Sequence, residues 1–377
     1  MAGIYIHIPF CKQACHYCNF HFSASTKLLD PMVKAICKEI ELQQSFFEEP
    51  NLTIDTIYFG GGTPSLLPTQ DTEQILAAIK KHFTLSPTVE ITLEANPDDI
   101  SREKLTSFSS IGINRLSMGV QSFVDEDLIW MNRAHRSKAA MEAIELAKEV
   151  GISNISIDLI YGIPTLTTEN WIQNIEKAVE LEVPHLSCYA LTVEPKTPLN
   201  ALILKGEKED IDTAKLAIHF DLLTKHAAQA GYEHYELSNL ALPGYRSKHN
   251  TSYWQQKKYL GIGPSAHSFT GSSRQWNIAN NALYISSIEK GIVPFESETL
   301  SLPTQYNEYI MTSLRTMEGC SYTYLHEKFG DNAVSRTKKI AEHYIDKGQL
   351  MEQANFLMAT GQGKFFLDGI AADFFEV

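Results

Sequence analysis

From the N-terminus to about residue 230, short apolar runs alternate with stretches in which apolar residues recur every three to four positions. That alternation predicts successive strand–helix units and a parallel sheet, with strands buried on both faces and helices on one. Six units are read, with strands at Ile4–Pro9, Ile54–Phe59, Val89–Ala95, Arg115–Val120, Ile155–Tyr161 and His185–Leu191. The helices fall near 30–46, 71–83, 101–110, 137–150, 168–182 and 210–230. Asn96-Pro97-Asp98, Gly151 and Pro184 supply stop and start signals between them. Residues 231–300 read as an irregular extension with short strands and a glycine-rich stretch, Gly261 to Ser268. After Leu302 the pattern becomes helical at 303–317, 321–329 and 331–348. A hairpin of Leu350–Met358 and Lys364–Leu367, joined through Thr360-Gly361-Gln362-Gly363, is expected next. The expectation is an α/β fold in three parts: residues 1–230, an extension over 231–300, and a small helical, winged-helix-like domain over 301–377.

A chain of 377 residues can bury a sizeable core without staples. The formal charge of −13 argues against affinity for phosphate backbones, and the winged-helix-like segment has mixed charges rather than a basic stripe. Nucleic acid is therefore not an expected partner. The opening Met-Ala-Gly-Ile-Tyr-Ile-His has no basic leader region and reads as a first strand, not a signal peptide. No stretch approaches transmembrane length.

Of six cysteines, three lie within eight residues, Cys11, Cys15 and Cys18, directly after the first apolar run. Such clustering points to metal or redox chemistry in a reducing, cytoplasmic setting rather than to disulfides. Iron–sulfur clusters normally take four thiolates, so three would leave one iron open. A zinc site completed by His16 or His21, a thioredoxin-like pair, and inert thiols are the other readings. Cys37, Cys188 and Cys320 sit in apolar patterns and read as core.

Polar and glycine residues gather just after the strands: Gly60-Gly61-Gly62-Thr63, Glu94, Gln121-Ser122, Asp158 and Tyr161-Gly162. In parallel sheets, reactive groups sit at the carboxyl ends of strands, so these residues are expected to converge over the cysteine loop. The glycine triplet lacks a P-loop lysine and dinucleotide spacing; it is either a tight turn or a bare backbone edge for an amino-acid-like ligand. Glu94, Arg133 and Asp158 suit ribose hydroxyls or a carboxylate, or else internal salt bridges. His249 lies beside Tyr253 and Trp254; imidazole is a haem ligand, and a satisfied structural histidine is the other reading. The remaining histidines, among them His7, His135 and His267, show no ligand spacing.

The Cys-x₃-Cys-x₂-Cys motif followed by Gly-Gly-Gly-Thr-Pro resembles the radical S-adenosylmethionine (SAM) superfamily. Within it, Tyr5 to Cys11, Tyr58 to Ser65, Leu93 to Pro97, Gly119 to Phe123, Asn132-Arg133 and Asp158 to Pro164 resemble the oxygen-independent coproporphyrinogen III oxidase group over nearly the whole chain. The resemblance implies a partial (β/α)₆ barrel, with a four-iron, four-sulfur cluster on Cys11, Cys15 and Cys18. Gly61, Gly62 and Thr63 would bind the methionyl part of SAM, and Glu94, Gln121, Arg133 and Asp158 the rest. Tyr5 would lie near cluster and cofactor, and Tyr17 near the adenine.

Two departures separate the chain from the oxidase itself. Phe20 stands where the oxidase has a further cysteine two positions after the third, and only ten residues precede Cys11. Both, together with His-Asn-x-x-Tyr-Trp at His249 to Trp254, resemble the haem-chaperone branch of the group. That branch implies haem as cargo, His249 as its ligand, and apo-haemoproteins such as respiratory enzymes as acceptors. The alternative is oxidative decarboxylation of coproporphyrinogen III. No catalytic residue is assigned; retention of radical chemistry, homodimerisation and peripheral membrane association through partners stay open.

Overall fold

The computed structural model describes residues 2–49 and 52–376. Strands β1 (Ala2–Ile8), β2 (Ile54–Gly61), β3 (Leu85–Ala95), β4 (Arg115–Gln121), β5 (Ile155–Tyr161) and β6 (His185–Ala190) lie side by side in that order, all parallel. All seven residues of β4 are buried, as expected of a parallel strand covered on both faces. The crossovers are α1 (Leu29–Leu42), α2 (Thr69–His82), α3 (Arg102–Ile111), the pair α4 (Asp125–Trp130) and α5 (Ser137–Glu149), and α6 (Thr168–Glu180). After β6 come α7 (Pro198–Leu204) and α8 (Thr213–Gln229). The fold is the partial (β/α)₆ barrel expected: six parallel strands whose outer edges pair with other strands instead of with each other.

On one side, β6 meets β8 (Asn239–Ala241), which pairs with β7 (Glu233–Glu236). Helix α9 (Lys248–Trp254) then carries the chain across to β9 (Tyr259–Ile262), which runs parallel to β1. Antiparallel pairing continues through β10 (His267–Phe269), β11 (Ser273–Asn277) and, after α10 (Asn281–Glu289), β12 (Phe295–Thr299). The extension read as irregular is thus a continuation of the barrel sheet on both edges. No helix among the described residues is long and apolar enough to cross a membrane.

The last segment builds its own apolar cluster, around Tyr306, Ile310, Leu325, Leu357 and Phe374. It contains α11 (Leu302–Leu314), β13 (Cys320–Ser321), α12 (Tyr322–Phe329), α13 (Asp331–Asp346), β14 (Leu350–Gln353), β15 (Phe356–Ala359), α14 (Gly361–Lys364) and α15 (Leu367–Asp373). The hairpin differs from expectation. It turns at Ala354 and Asn355, both at positive φ (48° and 77°), and β15 also pairs with β13. Asparagine tolerates that conformation, so the turn falls there. The later Thr-Gly-Gln-Gly stretch is instead a helix start, where the Thr360 hydroxyl accepts from the Gly363 N–H at 3.1 Å.

One buried carboxyl ties barrel and extension together. Glu39 of α1 has no exposure and accepts hydrogen bonds from Tyr284 Oη (2.5 Å), Gly263 N (2.8 Å) and Asn277 Nδ2 (2.7 Å). Burial raises its pKa from 4.5 to about 7 despite these donors. Since the folded value lies above the unfolded one, the group's contribution is complete below the unfolded pKa and is lost as pH rises through 7. We expect raising the pH from about 5 to about 8 to destabilise the wild type relative to Glu39→Gln by about 3 kcal/mol. Parallel thermal melts of the two proteins measure it, and a difference that does not change with pH would refute it.

Candidate cluster and cofactor site

The first strand is followed by Pro9-Phe10, and the cysteine loop leaves from there over the carboxyl ends of β2, β3 and β4. Its entry is spliced to the end of β2: Gly62 N donates to Ile8 O (2.9 Å) and Thr63 N to Phe10 O (2.7 Å). A Cβ on Gly62 would lie 2.6 Å from the Phe10 oxygen and 2.8 Å from its nitrogen, so only glycine fits. Cys11 N donates to Ser23 O at 3.0 Å and Ser23 N to Pro9 O at 2.9 Å, closing the loop at its base.

Side chains fix the far end. Gln13 Nε2 donates to Asn132 O (2.8 Å), and Asn132, at φ 60°, returns a bond from Nδ2 to Ala14 O (2.8 Å). His16 N donates to Met131 O, and Lys12 pairs with Asp98 and Asp99. The turn at 131–133 therefore clamps the loop from the β4 side.

Arg133 is the centre of charge. Its Nη1 donates to Cys15 Sγ (3.2 Å) and reaches Tyr17 Oη (3.5 Å), while Nη2 donates to Asn96 Oδ1 (2.6 Å) and Gly119 O (2.7 Å). Its Nε is buried without a partner among the described residues. Asn96 in turn donates to Thr63 Oγ1 (3.1 Å), and Thr63 donates to Cys11 Sγ (3.6 Å). Burial pushes Cys11 up to about 11 and also raises Cys18 and Tyr17. Half-buried thiols beside a guanidinium suit a cationic metal group that takes them as thiolates. Among the described residues, no three His, Cys, Asp or Glu side chains converge as for a single metal ion. A zinc ion gathers its ligands in one coordination sphere, whereas a cluster spreads its thiolates over separate irons.

Gln121 ends β4 at φ 68°, a left-handed conformation costly for a non-glycine residue. A Cβ on Gly119 would meet Gln121 Nε2 (3.0 Å), Arg133 Nη2 (3.1 Å) and Asn96 Oδ1 (3.2 Å), so these three groups converge. Glu94 stands over the glycine strip, accepting from Tyr58 Oη (2.8 Å) and Gly61 N (3.2 Å). Burial raises it to about 7, and Asp158 adds to the rise. Asp158 sits on β5; burial raises it to about 6 against the pull of Arg133 and Arg115. The structure thus gathers the cysteines, Tyr17, Gly61 to Thr63, Glu94, Gln121 and Arg133 at one end of the sheet, with Asp158 in register with Ser187 behind them. Asn96, Tyr58 and Asn132 fall in motifs quoted from the sequence but were given no place in the site there. Asn96 read there as a stop signal, and no local feature marked its double bond to Thr63 and Arg133.

Tyr5 faces the same end. It donates to, or accepts from, His7 Nδ1 at 3.2 Å and stacks on Tyr58 and His249. His249 is placed behind these rings with 1% of its surface exposed. Its Nδ1 pairs with Thr56 Oγ1 (2.8 Å) and its Nε2 with Tyr253 Oη (2.9 Å), so neither ring nitrogen is free for iron. Burial holds it neutral, with its pKa lowered to about 3. The expected extra metal-facing group is thus a hydrogen-bonded support in this conformation.

Beside the loop, residues 19–21 form one wall of a cavity of about 660 Å³. Its other walls include Tyr5, His7, Tyr253, Trp254, Tyr259 and Phe269. Phe20 projects at its edge with 68% of its surface exposed.

A three-cysteine loop above a partial parallel barrel defines a radical SAM protein, and the superfamily model for that class matches residues 5–178. A haem chaperone HemW of Bacillus subtilis is 34% identical over 97% of this chain and 96% of its own length. One from Escherichia coli is 31% identical over 98% and 96%. The chain belongs to the HemW family. In three dimensions it is similar to the Escherichia coli coproporphyrinogen III oxidase HemN, a radical SAM enzyme, with TM-score 0.84 at 21% identity over 99% of this chain and 89% of that one. Membership implies a four-iron, four-sulfur cluster and SAM as cofactors.

Gly62→Ala is expected to cost about 1–3 kcal/mol of stability, because the backbone atoms of Ile8 and Phe10 that the methyl would meet cannot move aside. It should also reduce iron and sulfide bound after anaerobic reconstitution. Gly369→Ala, where nothing lies within 4 Å of the added methyl, is the control and should bind iron as the wild type does. Equal iron content in the two variants would refute the splice as the loop's anchor.

Proposed function

We propose that this chain is a haem chaperone that holds a four-iron, four-sulfur cluster and SAM, takes haem as cargo and passes it to apo-haemoproteins. Its relatives of near-equal length are named as haem chaperones. The observation that carries the reading is the shared wall: the segment just after Cys18 lines an aromatic, histidine-containing cavity next to the cluster loop. Flat aromatic walls suit a porphyrin face, and the cavity lies within the roughly 300–1,000 Å³ of cofactor pockets.

In this reading Cys11, Cys15 and Cys18 hold the cluster. Gly61, Gly62 and Thr63 present backbone and hydroxyl to the methionyl end of SAM, and Glu94 and Gln121 hold the remainder. Arg133 balances thiolate charge through Cys15 and keeps Asn96 aimed at Thr63. Asp158 offers a half-buried carboxyl to a polar group at the barrel mouth. When bound, the cluster and SAM supply one-electron chemistry. Water is kept from the cysteine end by Tyr5, Tyr17 and Tyr58, while Phe20 replaces the additional thiol of the oxidase with an apolar contact for a bound ring or an acceptor.

The alternative, the oxidase reading, shares its fold with HemN, a likeness that bears on the fold alone. The two separate by product. Anaerobic incubation with coproporphyrinogen III, reductant and SAM is expected to give no protoporphyrinogen IX, while haem-loaded protein restores activity to a haem-depleted respiratory enzyme. Decarboxylation without transfer would reverse the assignment. Cys11→Ser is expected to lose the cluster's visible absorption and its reconstituted iron and sulfide, and an unchanged iron content would remove these cysteines from the site.

A further inference from the structure

The cavity beside the cluster loop is built on the sheet extension. In strands, alternate side chains share a face, and His267 and Phe269 of β10 both line the cavity. In register, His267 lies opposite Trp276 and Phe269 opposite Arg274, while Phe269 also pairs with Tyr259 of β9. The face is thus aromatic with one imidazole standing on it. Gly261 fixes that position: a Cβ there would fall 2.0 Å from the His267 carbonyl oxygen, so β9 passes His267 at a distance only glycine permits.

The cavity holds three histidines, and their hydrogen bonds distinguish them. His7 is buried, with Nδ1 on Tyr5 Oη and Nε2 on His21 O. His21 spends Nε2 on Asn281 Oδ1 at 2.8 Å, which leaves it Nδ1 alone. Among the described residues, neither ring nitrogen of His267 has a hydrogen-bond partner, and its ring, exposed to the cavity, rests on Trp276 at 6.2 Å. Burial and the nearby Arg274 lower its pKa, keeping the imidazole neutral, the form that binds metal. Tyr253 and Tyr259 are held as phenols by burial, which disfavours tyrosinate ligation. The exposed Phe20 across the mouth gives the opposite face of a flat ring an apolar contact.

We infer that His267, not His249, is the protein ligand to haem iron, with the macrocycle seated between the Tyr259–Phe269 wall and Phe20. This rests on the haem-chaperone reading and assigns its ligand. His249 then acts one layer back as a positioning residue, holding Tyr253 at the cavity wall through its Nε2.

The test is haem binding to the full-length, cluster-reconstituted protein, followed by the Soret band and by the iron–histidine stretch of ferrous haem in resonance Raman spectra. His267→Gly should lose the stretch and bind haem about tenfold or more weakly, and added imidazole should restore the histidine-type spectrum. His21→Ala should keep the stretch. His249→Ala should keep it with weaker binding, since only the wall is disturbed. If His267→Gly retains the stretch, or His249→Ala alone abolishes it and is rescued by imidazole, the ligand assignment is overturned while the chaperone reading stands. If the wild type binds no haem, both fall together. Glycine in β10 and the lost stacking on Trp276 should cost about 1 kcal/mol, so the variant is expected to melt a few degrees lower but still cooperatively, and that melt keeps a loss of haem from being a loss of fold.

Discussion

Everything at the cysteine end depends on a short stretch of backbone pairing between Ile8–Phe10 and Gly62–Thr63. Strand β1 and strand β2 already run in register up to Ile8 and Gly61, and the pairing extends that register past the strand ends into the loop. It works because Gly62 has no side chain and so lets the two chains touch. Given this contact, Thr63 arrives beside Cys11 and the glycine strip faces the space above the loop. Without it, three thiols spread over eight residues of loop would have no common frame.

The second constraint is electrostatic. One guanidinium, Arg133, reaches Cys15, Tyr17, Asn96 and the Gly119 carbonyl, bringing the ends of β3 and β4 and the loop to a single charge. Around it lie carboxyls that burial raises, Glu94 to about 7 and Asp158 to about 6. Groups that titrate near neutrality at the mouth of a barrel are held ready for polar ligands, which replace the solvation that burial removed. The same physics operates at Glu39 for a structural end, where the carboxyl joins α1 to the extension rather than facing a ligand.

Extending the sheet beyond β1 turns a barrel edge into a cavity wall. Strand β9 pairs with β1 in parallel, so Tyr5 and His7 share a face with the strands that carry His267, Phe269 and Arg274. Helix α9 packs behind, giving Tyr253 and Trp254 to the cavity and keeping His249 beneath, locked to Thr56 and Tyr253. The His-Asn-x-x-Tyr-Trp motif thus turns its aromatic end to the cavity, with its histidine bonded behind. Residues 19–21, just after Cys18, also line the cavity.

The six strands, the three-cysteine loop, the glycine strip and the charged strand ends were all legible along the chain. Each follows from local periodicity or from a spacing that only a particular chemistry needs. The hairpin was misplaced because several turn-forming pairs compete in that segment, and only pairing with β13 selects Ala354-Asn355. Asn96 and His267 carried no local signal: one looked like a helix stop and the other like an isolated histidine. Their roles come from residues more than thirty positions away in the first case and from a strand paired across a glycine contact in the second. His249 shows the converse, a conspicuous motif residue whose two nitrogens are already bonded once the chain is folded. Sequence determined which chemistry the chain can hold, since ligand type and spacing are covalent facts. Tertiary structure decided which side chains face it, since burial and hydrogen-bond occupancy exist only after distant strands have met.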